Sequence, residues 1–147
     1  MINRTAGPAM LDRFFAMLSD LSEPAHERFG EDDYRLAAAV LLVHVMAVDG
    51  RVAPAERDRL RTVLASGFDL SGPDTDRLIE SAMDHEAAGD SWTAQAEHLA
   101  NRLDEQGRRR IVDMMWAVVL ADGSAAELEE AVVERAAQLM GVDPNRP

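Results

Sequence analysis

The chain contains no cysteine, which excludes disulfides, thiol nucleophiles and thiolate metal ligands and leaves the redox compartment open. It also lacks a long hydrophobic run. The two longest, residues 36–48 and 114–121, fall well short of the roughly 20 residues that a membrane span requires, and His44 interrupts the first. The N-terminal stretch MINRTAGPAMLDRFF shows no clean apolar segment followed by small residues at a cleavage site, so no secretory signal is expected and the expected compartment is the cytoplasm. Missing too are a glycine-rich phosphate loop, a nucleophile elbow and a histidine pair at zinc spacing. No catalytic constellation is present, and a non-enzymatic role is expected.

Basic residues are outnumbered, 15 against 27 acidic ones, for a formal net charge of −12. That balance argues against nucleic acid and anionic membrane surfaces as partners, and it suits cations or basic proteins. GRRR at residues 107–110 is the one basic cluster. Aromatic residues make up 5% of the chain and hydrophobic residues 47%, a globular composition with few strand-favouring runs.

What the sequence does hold is alanine, leucine, arginine and glutamate in helical spacing, so the expected fold class is all-α with about seven helices. Residues 1–31 read as a tail, an amphipathic helix carrying Met10, Leu11, Phe14, Phe15, Leu18 and Leu21, and a polar connector with Pro24 and Gly30. Residues 32–142 read as the main helical domain, and residues 143–147 as a C-terminal tail. Two segments, residues 36–48 and 111–121, are apolar around the whole helix circumference and should form buried central helices packed on one another. Gly107 reads as the break before the second of them.

The two central segments are related by an offset of 73 residues, which aligns Asp49 with Asp122, Gly50 with Gly123 and Glu56 with Glu129. Few identities accompany these, so the repeat is one of pattern and acidic residues: two pseudo-symmetric helix–loop–helix units. Asp-Gly followed by a glutamate admits three readings. As turn chemistry, glycine ends one helix and a glutamate at the third helical position supports the next. Against this, each aspartate sits at the negative end of an apolar helix, which costs a few tenths of a kcal/mol. As a calcium EF-hand it fails, because Val45 and Ala47, or Val118 and Leu120, would occupy the first ligand positions. As a shared site, Asp49, Glu56, Asp122 and Glu129, with Glu127 as a further oxygen donor, would converge on a hard cation such as calcium, magnesium or manganese.

Of the remaining residues, His44 reads as a hydrogen-bonded core histidine; five residues turn a helix by about 500°, so it points away from Asp49. Asp84, His85 and Glu86 read as a solvated face, His26 and His98 as isolated, and Trp92 and Trp116 as core anchors.

The stretches LLVHVMAVDGRVAPAERDRL, LDEQGRRRIVDMMWAVVLADG and ERAAQLMGV resemble the TerB tellurite-resistance family, in particular its single-domain bacterial members, over about residues 32–142. The resemblance implies an all-helical, seven-helix, pseudo-symmetric domain with an acidic surface for a metal ion, in systems that resist tellurite and chemical stress. Carried over by position, the metal-site residues are Asp49, Glu56, Asp122 and Glu129. It also implies partners among other tellurite-resistance or membrane-associated proteins. The second loop departs from the pattern, since SAAE stands where the first has RVAPAE. A helical interaction module whose acidic face docks a basic or membrane-associated partner is the other reading.

Overall fold

The computed structural model describes residues 33–48, 54–120, 127–145 and 147. The expected helix over residues 8–21 and the two Asp-Gly loops lie outside the described residues. Within them the fold is all-helical, with six helices and no strand: α1 (Tyr34–Ala47), α2 (Pro54–Phe68), α3 (Gly72–Ala87), α4 (Trp92–Arg102), α5 (Glu105–Val119) and α6 (Glu127–Met140). These are the last six of the seven expected.

Helix α1 begins where Asp33 adopts an extended backbone and its side chain accepts the Arg35 N–H at 2.8 Å. The Arg35 guanidinium folds back onto the same carboxylate, 2.8 Å from Oδ2. From Leu36 to Met46 every side chain but His44 is buried. No polar face remains to turn toward water, so the helix must be covered on all sides. It touches each of the other five helices.

The helices around it end on local signals. Ser71, Ser91 and Asp104 cap the starts of α3, α4 and α5 by accepting backbone N–H groups. Gly89 and Gly141 take left-handed backbone (φ 77° and 71°) after α3 and α6, where glycine carries no Cβ penalty. After α2 that position is filled by Asp69, at φ 53°. The Leu70 N–H then reaches back to the Ala65 carbonyl at 3.0 Å, closing the helix.

Two hairpins organise the rest. Tyr34 at the start of α1 meets Phe68 at the end of α2 edge-to-face, ring centroids 5.9 Å apart. Arg108 near the start of α5 donates to the Met140 carbonyl at the end of α6, at 2.8 Å. Each pair is therefore antiparallel. The helix boundaries keep the repeat: Glu127 starts α6 73 residues after Pro54 starts α2.

Two expectations need correction. The break before α5 falls at Leu103–Asp104, not at Gly107, because the Asp104 carboxylate caps the helix by accepting the Gly107 N–H at 2.8 Å. Gly107 thus lies in the first turn. Burial of α5 is also less complete than that of α1. It begins at Ile111, and Asp113 and Ala117, four residues apart on one side, remain half-exposed. Arg109 covers part of that side, bonding Asp113 at 2.8 Å and the Asn145 carbonyl at 3.0 Å. Trp116 Nε1 donates to the Pro144 carbonyl at 3.0 Å, so residues 143–145 run along α5.

Leu42 is fully enclosed, whereas Leu128 is 58% exposed. Leu42→Ala should lower unfolding free energy by about 2–5 kcal/mol in a denaturant titration, and Leu128→Ala should stay within about 0.5 kcal/mol of the parent. Equal effects would contradict the placement of the core in α1.

Burial raises the Asp33 carboxyl, but the hydrogen bonds and charge of Arg35 outweigh it and hold the group below the usual carboxylate range. A depressed folded value means that this contribution is complete above the unfolded value of about 3.9 and is lost as pH falls through the folded one. Asp33→Asn keeps a capping acceptor. It should remove the charge contribution near neutrality and, for that reason, shrink the further loss of stability in acid below about pH 4, as followed by thermal melts across pH.

Candidate functional site

The acidic repeat is built on the two hairpins. Glu56 and Glu129 are each the third residue of their helices, α2 and α6, in the first turn where the helix dipole favours a carboxylate. Glu56 is half-buried and Glu129 is 7% exposed, making it one of two buried polar residues among those described. Glu127 is exposed at the first position of α6. Asp49 and Asp122 lie outside the described residues. Among the described residues no group of three or more histidine or carboxylate side chains is close enough to hold an ion.

The EF-hand reading ends at the backbone. Val45 and Ala47 belong to α1, Val118 belongs to α5, and Leu120 closes that helix. The central helices start together: Tyr34 of α1 and Gly107, Arg110 and Ile111 of α5 line one cleft. Each acidic loop follows the far end of one of these helices.

The structure also brings together three residues far apart in the sequence, His44, Glu86 and Trp92. His44, on the last turn of α1, places Nδ1 3.0 and 3.1 Å from the two carboxylate oxygens of Glu86 on α3. Its ring stacks on Trp92, the first residue of α4, with centroids 5.1 Å apart and planes 18° from parallel. The expected hydrogen-bonded histidine is therefore present, and it clamps three helices. Trp92 is half-buried against it, whereas Trp116 is the enclosed anchor, at 3% exposure. The solvated face expected at residues 84–86 is corrected: His85 Nδ1 sits 2.8 Å from Asp90, Glu86 turns inward to His44, and Asp84 alone is exposed. The signal for the inward turn of Glu86 was His44 itself. A polar side chain on an otherwise apolar helix needs a partner, and a carboxylate is the residue type that holds an imidazole N–H best.

Two antiparallel helix hairpins, each joining a buried central helix to an outer helix with glutamate at its third position, define an all-α domain of repeated hairpins. The family described as "Tellurite resistance protein TerB" matches residues 35–146, and the chain belongs to the TerB family. The crystal structure of a protein of unknown function from Porphyromonas gingivalis shares this fold, with a TM-score of 0.63 and 16% identity over 80% of this chain and 90% of that one. No curated protein sequence matches.

The His44–Glu86 pair should show a coupling of about 0.5–1.5 kcal/mol in a double-mutant cycle of His44→Ala and Glu86→Ala read by denaturant unfolding. Additive effects would mean that the two side chains stabilise the fold independently.

Proposed function

We propose that this TerB domain is a non-enzymatic, cytoplasmic stress-response module of tellurite-resistance type that binds a hard divalent cation at its acidic repeat. The donors are Asp49, Glu56, Asp122 and Glu129, with Glu127 as an additional oxygen. The observation that carries the reading is the matched placement of Glu56 and Glu129, each third in its helix and each drawn in from solvent, behind the two central helices. Oxygen donors without nitrogen or sulfur suit calcium, magnesium or manganese. Family membership supports the link to tellurite and chemical stress. A cation would neutralise carboxylates that otherwise repel one another, and the charged surface it reorganises would face partner proteins of the same resistance systems.

A ligand that binds only the folded chain stabilises it by mass action. Millimolar calcium, magnesium or manganese should therefore raise the thermal midpoint beyond the effect of sodium chloride at equal ionic strength. Asp49→Asn and Asp122→Asn should abolish that increment and, by deleting a charge at a helix C-terminus, hold or raise the metal-free midpoint. Midpoints indifferent to all three ions would overturn the cation reading. If binding of a basic partner then proved salt-sensitive, the docking module would take its place.

A further inference from the structure

On the side where the central helices begin, a cleft of about 360 Å³ opens between the start of α1, the end of α2 and the start of α5. Of the acidic repeat's described residues, Glu56, Glu127 and Glu129, none lines it. Tyr34 and Phe68, held edge-to-face, form an aromatic wall, and Leu103 and Ile111 extend the apolar surface. Asp69 and Arg110 are exposed and also line the cleft.

These two charges differ from their neighbours. In the GRRR cluster, Arg108 is bound to the Asp104 and Met140 carbonyls, and Arg109 to Asp113, Asp143 and Asn145. Arg110 forms no such bond, and among the described residues no ion pair joins it to Asp69. Asp69 occupies the left-handed position after α2 that glycine fills after α3 and α6. An aspartate there accepts a backbone conformation that glycine would take more readily, and it puts a carboxylate at the cleft. A guanidinium and a carboxylate, neither with an ion-pair partner among the described residues, thus stand beside one aromatic-walled cleft.

We propose that this cleft binds a small zwitterion, namely an α-amino acid with an aromatic or branched apolar side chain. Arg110 takes the ligand carboxylate through its guanidinium fork, Asp69 takes the ammonium, and the side chain rests on Tyr34 and Phe68. The volume lies at the small end of the range of about 300–1,000 Å³ found for ligand sites, which suits a single amino acid better than a nucleotide. The opposed charges select a ligand that carries both signs over a simple anion or cation. This site is independent of the cation site.

The test is a titration of the full chain with L-phenylalanine, followed by NMR and calorimetry. Two blocked analogues accompany it: N-acetyl-L-phenylalanine, which lacks the ammonium, and L-phenylalaninamide, which lacks the carboxylate. Expected are saturable shifts of residues around Tyr34 and Arg110, with affinity reduced about tenfold or more for each analogue. Arg110→Gln and Asp69→Asn should each cause a similar loss. Asparagine tolerates the left-handed backbone, so Asp69→Asn should retain the fold, as a thermal melt would verify. Arg59→Gln, on an exposed residue of α2 outside the cleft, should change nothing. No saturable binding at up to about 10 mM phenylalanine would overturn the proposal. So would equal affinity for the blocked analogues, or affinity unaffected by both cleft substitutions, since either result reduces the site to an apolar surface.

Discussion

The enclosure of α1 governs this structure. Ten of its fourteen residues are buried, and they point in every direction around the helix axis. Water must be excluded from the whole circumference, because apolar area left exposed forfeits about 25 cal/mol per Å². Five helices meet that demand, and each touches α1. The polar exception, His44, is accommodated by Glu86 and Trp92. One imidazole thereby joins the end of α1 to the end of α3 and the start of α4, and the cover on that side is fixed by direction as well as by apolar contact.

The outer helices are shaped by the same constraint. Helix α2 buries only Leu60 and Leu64, while Arg57, Asp58, Arg59 and Arg61 carry charge to the surface. Arg61 reaches Asp76 on α3 at 2.7 Å, and Arg57 lies 3.0 Å from the sulfur of Met83. All fifteen basic residues of the chain are arginine. The planar fork of arginine can serve two acceptors at once, and Arg109 does so, joining a side chain of α5 to the carbonyls that follow α6. Chain segments after the last helix are thus tied to a central one, in a protein whose excess of acid would otherwise favour expansion.

The repeat places chemistry on this scaffold. Two hairpins of matched register put a glutamate at the third position of each outer helix, a location the dipole favours for a carboxylate whatever it binds. Burial separates the two: Glu129 is nearly enclosed, whereas Glu56 is half-open. The repeated sequence pattern therefore does not produce identical surroundings. Helix α1 is covered on all sides and α5 on fewer, so the helices leading to the two loops stand in different environments.

The sequence by itself determined the class of fold, the six described helices, the two central ones and the offset that relates the hairpins. All of these follow from local periodicity and caps, which neighbouring residues carry. The TerB family was legible for the same reason, because its signature lies in short stretches around the two Asp-Gly steps. The start of α5 was misplaced because Gly107 reads as a breaker, while a capping aspartate three residues earlier outweighs it. Only tertiary structure decided that Glu86 turns inward to a histidine 42 residues away, that Glu129 is buried and Glu56 is not, and that Asp69 and Arg110 share a cleft. Those outcomes depend on which helix lies against which. An i-to-i+4 pattern shows which face of a helix seeks cover, but the direction in which a polar side chain leaves that face is set by the helix that supplies the cover.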